Sequence, residues 1–131
     1  MAEPVLVGLL FADRVIVEKN NKKGIIGTFS RFHSENFPVA FPPWYIYAAV
    51  TNIENEHSFA INLVNDKSQH VIVSFGGKVG TESVKAVCEL SIPIMNIVFP
   101  EPGDYNLTFH IDGKQIGSRV LEVIELKQKG D

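Results

Sequence analysis

The chain has 131 residues, of which 45% are apolar and 21% are charged, and its formal net charge is −3. This length and composition predict one globular domain with a single core and exclude a largely disordered chain. Lys and Arg form no continuous basic stripe, which argues against a nucleic-acid-binding protein. The single cysteine, Cys88, excludes an intrachain disulfide and fits a reducing compartment. We therefore expect a single-domain cytoplasmic protein.

The first predicted element is an apolar run over residues 5–12. Eight residues are too few to cross a bilayer, and the flanking Glu3 and Asp13-Arg14 are unlike the flanks of a signal peptide. We therefore expect a buried strand and no membrane partner. The apolar block continues to Val17, either as one long bent strand or as two short strands. The charges of Asp13-Arg14 indicate an ion pair at a strand bend or the rim of a pocket.

The next predicted strand covers residues 25–32 and follows a turn at residues 20–24. Residues 33–43 contain three prolines and are predicted to form the longest irregular segment. A clear strand follows over residues 45–53. Alternation along it places two sets of side chains on opposite faces, namely Trp44, Ile46, Ala48 and Val50 on one face and Tyr45, Tyr47, Ala49 and Thr51 on the other.

The second half of the chain shows the same period of two. A strand over residues 58–65 is followed, after a turn, by a strand with three apolar residues in phase: Val71, Val73 and Phe75. Residues 76–83 are predicted to form a loop. The strand after this loop is predicted to face inward with Ala86, Cys88, Leu90 and Ile92.

The closing hairpin is the most informative segment about architecture. Pro102-Gly103-Asp104-Tyr105 predicts a corner followed by a strand, and Asp112-Gly113 favours a tight turn. In immunoglobulin-like sandwiches a tyrosine directly after such a corner bonds back to the preceding loop. On the return strand Leu121 and Val123 are predicted to face inward, whereas Arg119 and Glu125 share that direction only if a bulge intervenes.

About eight short strands at even spacing, without a convincing helical period, predict an all-β fold. Each hairpin can bury only one face, so two antiparallel sheets must pack face to face. We expect an antiparallel immunoglobulin-like β-sandwich of about eight strands that forms one domain over residues 1–131. Residues 127–131 are expected to be a short flexible C-terminal tail.

Several short motifs occur in an order and spacing that resembles a known family. They are Leu10-Phe11-Ala12-Asp13, Gly24-Ile25-Ile26-Gly27, Phe37-Pro38, Pro42-Pro43-Trp44, Glu56-His57, Phe99-Pro100-Glu101-Pro102-Gly103-Asp104-Tyr105 and Ile111-Asp112-Gly113. Over residues 9–123 the chain is similar to an uncharacterised family of small bacterial immunoglobulin-like domains of unknown function. The resemblance implies a fold and supplies no catalytic residues. The cysteine pair that packs on the core tryptophan of antibody domains is absent, which argues against an antibody-like or receptor-ectodomain relative.

The sequence shows no constellation of residues for catalysis or metal binding. Cys88 falls among inward apolar positions, which favours core packing over a nucleophilic thiolate. Glu54, Glu56 and His57 share one hairpin loop, but these three groups are too few for a zinc or calcium site. Residues 76–81 are rich in glycine but lack the spacing of a phosphate-binding loop. We therefore predict that the chain is not an enzyme and has no cofactor and no metal.

The best candidate for a binding site is an aromatic cluster near residues 33–47. Its members are Phe37, Phe41, Trp44, Tyr45 and Tyr47, of which the last four are the predicted binding residues. In one alternative these rings are exposed and anchor a partner protein or a sugar ring. In the other, the proline-rich segment folds over the end of the sandwich and buries them.

Two functional hypotheses follow from these patterns. The first is a non-enzymatic cytoplasmic domain that acts through contacts with a protein partner or by self-association. Its basis is that strand edges are templates for pairing, and that residues 58–75 carry few charges along their centre. The alternative is a small-ligand or carbohydrate-binding module that uses the exposed aromatic residues. Neither a nucleic acid nor a membrane is an expected partner, and the identity of a small-molecule ligand stays open.

Overall fold

The computed structural model describes residues 3–127, which contain eleven strands and no helix. None of these residues forms a helical segment that could cross a membrane. The strands are β1 (Val5–Val17), β2 (Lys23–Phe29), β3 (Arg31–Ser34), β4 (Val39–Ala40), β5 (Trp44–Thr51), β6 (His57–Asn65), β7 (Val71–Val79), β8 (Cys88–Ile94), β9 (Val98–Phe99), β10 (Gly103–Ile111) and β11 (Lys114–Glu125). The predicted all-β class is confirmed. The predicted tail lies, beyond Lys127, outside the described residues.

The eight long strands correspond to the eight predicted from the sequence, and the number was too low because three short strands were missed. These are β3, β4 and β9, with four, two and two residues. Strands of two residues contain too few alternating positions to show a period of two, and the first half of β3 was predicted as the end of the preceding strand. Two of them, β3 and β4, fall within or beside the segment 33–43 that was predicted to be irregular.

The strands form two larger sheets and one small one. The four-stranded sheet has the order β2-β1-β5-β8, the five-stranded sheet has the order β3-β11-β10-β6-β7, and β4 pairs with β9. All pairings are antiparallel except that of β3 with β11, which is parallel. The inward side chains of both larger sheets belong to one hydrophobic core, which includes Phe11, Ile46, Ile92, Ile61, Leu63, Leu107 and Phe109.

Strand β1 is one continuous strand of 13 residues, the first of the two predicted alternatives. Its first part pairs with β5 up to Ala12, and its second part pairs with β2 from Phe11 onward. The charged pair Asp13-Arg14 therefore lies where β1 changes partners. Among the described residues it forms no ion pair. The Asp13 carboxylate instead lies over Gly27 of β2, where a Cβ would overlap it.

The predicted strand over residues 25–32 is divided at Ser30. Its first part is β2 in the four-stranded sheet, and its second part is β3 in the five-stranded sheet. Arg31 to Ser34 pair in parallel with the end of β11, so the chain crosses here from one sheet to the other. Phe29 and Phe32 are three residues apart, so the period of two is interrupted here, but an interruption does not show which sheet the next strand joins.

The predicted loop over residues 76–83 begins later than expected, because β7 continues through Gly76-Gly77-Lys78 to Val79. Phe59 of β6 is directly opposite Gly77, and a Cβ built at Gly77 would lie 3.0 Å from Cε1 of the Phe59 ring. The glycine therefore serves close packing by a neighbouring aromatic ring inside the strand rather than chain reversal.

The closing hairpin, β10 and β11, follows the prediction closely. Tyr105 is fully buried, and its hydroxyl donates a hydrogen bond to the backbone carbonyl of Glu101 at 2.7 Å. The register of β10 and β11 shifts between Phe109 and His110, which leaves Ile116 as a bulge. No bulge separates Arg119 from Leu121, so Arg119 faces the same side of the sheet as Leu121 by simple alternation. Arg119 reaches the opposite sheet, where it donates a hydrogen bond to the Leu9 carbonyl at 2.8 Å and lies 5.8 Å from the centre of the Phe11 ring. Glu125 is exposed.

Candidate interaction surface

Two of the four predicted binding residues lie between the sheets. Trp44 is only 3% exposed, and its ring meets Phe11, Phe29 and Phe32 edge-on at centroid distances of 5.5–5.9 Å. Phe41 is partly buried and stacks on Phe32 at 4.1 Å. The Trp44 ring thus belongs to the hydrophobic core, and the Phe41 ring packs against its margin. Trp44 is therefore not an exposed anchor.

The other two predicted residues lie on the opposite face of β5. Tyr47 is 9% exposed, and its hydroxyl donates a hydrogen bond to the Glu89 carboxylate of β8. Burial, together with the hydrogen bond to Glu89, raises the pKa of Tyr47 to about 12. Tyr45 is half-buried on the same face. Lys23 of β2 reaches β8 as well and donates to the Ser91 hydroxyl at 2.9 Å. The four predicted residues are thus divided between two faces and form no common site.

The loop residues Glu54 and His57 take part in a hydrogen-bonded cluster with Asp112, which we call the His57 clip. His57 Nδ1 lies 2.7 Å from Asp112 Oδ2, and its Nε2 lies 2.9 Å from the Glu54 carbonyl oxygen. The Asp112 carboxylate also accepts a hydrogen bond from the Ser58 amide at 2.9 Å. The hydrogen bond to Asp112 raises the pKa of His57, and the same bond lowers the pKa of Asp112. Both ring nitrogens of His57 are therefore occupied, and the clip fastens the start of β6 to the β10–β11 turn.

Other candidate groups are also placed by packing. Cys88 is half-buried at the start of β8 and packs against the core. Within residues 3–127, no three His, Cys, Asp or Glu side chains are grouped so that they could hold a metal ion. The glycine-rich residues 76–79 belong to β7 and not to a phosphate-binding loop.

The two larger sheets have four edge strands, and three of them carry features that oppose further pairing. Strand β3 has only four residues and begins with Arg31. Strand β2 contains Gly27 at φ 70, and β8 contains Pro93, which has no amide hydrogen to donate. Short length, charge, proline and irregular backbone are the usual ways in which proteins protect a sheet edge.

Strand β7 is the exception among the edges. It has nine residues, VIVSFGGKV, with no proline and no acidic residue, and Lys78 is its only charge. Among residues 3–127 no strand pairs with its outer side. The backbone amides and carbonyls that point outward along β7 are therefore available to an added strand.

An apolar groove of about 300 Å³ runs beside β7, between the edges of the two sheets. It is lined by residues of β7, by the end of β8 and by Met95 and Ile97. Phe75 is 49% exposed and Met95 is 56% exposed. The Phe75 ring also lies 5.9 Å from the buried ring of Phe59. We name β7 and this groove the β7 surface. It offers unpaired backbone groups for a strand and apolar contacts for that strand's alternate side chains.

The segment proposed from the sequence for strand pairing covers residues 58–75, which include two strands. Strand β6 is internal, because it pairs with β10 on one side and β7 on the other. Only β7 lies at the edge, and Met95 was missed altogether. The available signal was a contrast in composition: β7 lacks the proline and acidic residues that β8 contains.

Comparison with known proteins places the chain in a family. A family of unknown function, DUF6941, matches residues 8–124. The chain belongs to this family. The predicted membership in an uncharacterised domain family is thereby confirmed, and DUF6941 supplies no assigned activity. A search of curated proteins found no similar sequence.

One solved structure with a similar fold is that of Pseudomonas fluorescens alkylpurine DNA glycosylase AlkC bound to DNA containing an abasic site analog. The TM-score is 0.52 and the sequence identity is 9%, over 94% of this DUF6941 chain and 31% of that protein. The chain thus spans about a third of the length of the structure it matches. At this identity the similarity concerns the fold alone.

Proposed function

We propose that this DUF6941 chain is a non-enzymatic protein-binding domain that binds its partner through the β7 surface. The observation that carries the proposal is the combination of an unprotected nine-residue edge with an apolar groove beside it. An edge strand offers a row of unsatisfied hydrogen-bonding groups, and a neighbouring groove adds contacts for side chains. The chain supplies both on one side of the domain.

We further propose an immunoglobulin-like arrangement of the sandwich and a location in the bacterial cytoplasm. The hydrogen bond from the Tyr105 hydroxyl to the Glu101 carbonyl, directly at the corner before β10, supports the immunoglobulin-like arrangement. The resemblance to small bacterial domains supports the bacterial origin. The presence of a single cysteine supports a reducing compartment.

The geometry of the polar groups supports a role without catalysis. A general base must have a free nitrogen or oxygen within reach of the proton it removes. Both nitrogens of His57 are engaged, by Asp112 and by the Glu54 carbonyl. A ligand-binding module built on Phe41, Trp44, Tyr45 and Tyr47 is the weaker proposal. Trp44 lies on one face of β5 and the two tyrosines on the other, and Phe41 precedes the strand.

The proposal is tested by a charge placed on the β7 surface. In the variant Phe75→Lys an ammonium group stands at the edge and opposes strand addition. Val120→Lys is the matched control, because Val120 is 47% exposed and lies on β11, away from β7. Urea denaturation first establishes that both variants fold.

Each folded protein is then incubated with a lysate of the source cells and a chemical cross-linker. The cross-linked residues are identified by mass spectrometry. We expect wild type and Val120→Lys to cross-link to a protein, including copies of the chain itself, through residues of β7. Phe75→Lys should lose these cross-links. Cross-links that persist in Phe75→Lys, or a wild-type chain that captures nothing and does not self-associate, would contradict the proposal.

A further inference from the structure

We infer that the partner on the β7 surface is a second copy of this chain, joined by antiparallel pairing of β7 with β7 about a two-fold axis at Gly76. This inference rests on the proposed function and names its partner. The five-stranded sheets of the two copies would then form one continuous sheet of ten strands. An interface of this kind is isologous, with the same surface contributed by both copies.

The position of the axis follows from the regular part of β7. The register of β6 and β7 shifts at one point, because Leu63 pairs with Val73 whereas Val64 pairs with Val71. Ile72 therefore has no partner on β6 and forms a bulge. The regular ladder therefore extends from Val73 to Val79. Residues directly opposite each other in a sheet face the same side, so the axis must pass through a residue and not between two residues. The middle of the regular stretch is Gly76.

This register makes the β7 surface complementary to itself in shape. With the axis at Gly76, Phe75 of one copy lies opposite Gly77 of the other, and the contact occurs twice. Gly77 has no side chain to oppose the ring, and the neighbouring Phe59 ring lies beside it. The half-exposed Phe75 ring of one copy thus lies opposite a residue without a side chain, across which the Phe59 ring of the other copy packs, so antiparallel pairing brings the two rings together. Cross-strand aromatic contacts of this kind stabilise sheets.

The charges of β7 also permit the pairing. Lys78, the only charged residue of the strand, would lie opposite Ser74 of the second copy rather than opposite Lys78 itself. Opposed like charges would destabilise an antiparallel pair, and this register avoids them. In the same register Val73 lies opposite Val79, and both side chains face the interior of their own domains. Each position along the regular stretch therefore has a compatible partner.

The register is tested by disulfide formation between two single-cysteine chains. Both carry Cys88→Ser, and one also carries Ser74→Cys whereas the other carries Lys78→Cys. Directly opposite residues of an antiparallel pair have Cα atoms roughly 4.5–5.5 Å apart, which lies within the range that a disulfide bridges. We expect a covalent dimer in the mixture of the two chains and little in either chain alone. Cross-linking of Ser74→Cys with itself, or equal yields in all samples, would overturn the register.

Sedimentation of the wild-type chain tests the second copy itself. We expect a monomer–dimer equilibrium that Phe75→Lys weakens about ten-fold or more, because each dimer loses the ring contact twice, and that Val120→Lys leaves unchanged. A wild-type chain that stays monomeric overturns the inference. If such a monomer still captures another protein in a manner that depends on Phe75, the proposed function stands and only the identity of the partner is wrong. If the wild-type chain neither dimerises nor captures another protein, both the inference and the proposed function are wrong.

Discussion

Replacement of Tyr105 by Phe isolates the hydrogen bond from the buried Tyr105 side chain to the β9–β10 corner. The Tyr105 hydroxyl donates to the Glu101 carbonyl at 2.7 Å, while the ring itself is fully buried and meets Phe99 edge-on at 5.0 Å. Tyr105→Phe keeps the ring and its packing and removes only the hydroxyl. The cost is therefore that of one hydrogen bond with a buried donor, about 1 to 1.5 kcal/mol of unfolding free energy.

The expected change in melting temperature follows from the length of the chain. With an unfolding entropy of about 2.1 cal/mol/K per residue, a chain of 131 residues loses about 4 °C for each kcal/mol. Tyr105→Phe should therefore melt about 4–6 °C below wild type. Urea titration followed by tryptophan fluorescence measures the same loss, because the only tryptophan, Trp44, is buried in the native state and exposed on unfolding.

Tyr45→Phe is the matched control for this experiment. Tyr45 is half-buried, and its hydroxyl has no hydrogen-bond partner in the described part of the chain. Its removal should change the unfolding free energy by less than about 0.5 kcal/mol, as is usual at surface positions. The reasoning is refuted if Tyr105→Phe is as stable as wild type, or if both tyrosine variants lose the same free energy.

Two further predictions concern pH. The pKa of Tyr47 is raised from 10.0 to about 12, so the protonated hydroxyl stabilises the fold below pH 10, and this stabilisation is lost as the pH rises through 12. The midpoint of urea denaturation should therefore fall more steeply from pH 9 to 12 for wild type than for Tyr47→Phe. Parallel pH dependences of the two proteins would contradict this prediction. The pKa of His57 is raised by Asp112, so the stabilisation is present below pH 6.5 and disappears as the pH rises through the higher folded value. An NMR titration should show the pKa of His57 closer to 6.5 in Asp112→Asn than in wild type, and an unchanged value would rule out the hydrogen bond as its cause.

The sequence predicted the long strands well because their side chains alternate strictly and their turns contain glycine, proline or asparagine. Tyr105 illustrates a stronger success, since a local motif predicted both the corner and the direction of its hydroxyl. The prediction failed where the chain changes sheets. Phe29 and Phe32 are three residues apart, so the period of two is interrupted around Ser30, where the chain passes from one sheet to the other. Local pattern contains no information about which sheet a strand joins.

The candidate site was predicted less well than the fold, for a related reason. Aromatic residues near prolines are equally suited to a surface patch and to the end of a core, and Trp44 proved to belong to the core. The exposure of Phe75 could not be predicted, because it depends on β7 being the last strand of its sheet. Strand order arises from contacts between residues distant in sequence, such as the pairing of β6 with β10. A single sequence does not display these contacts.

The arrangement of edges explains why pairing through β7 would end at two copies. An added strand normally leaves a new edge, and repeated addition of that kind produces filaments. A two-fold pairing of β7 instead places β3 at both outer edges of the ten-stranded sheet. Strand β3 has only four residues, and its exposed Arg31 pairs with Glu122 of β11 at 3.8 Å. The long edge with a single charge would thus be covered, and the outer edges of the ten-stranded sheet would be the short, charged β3 strands, which resist further addition.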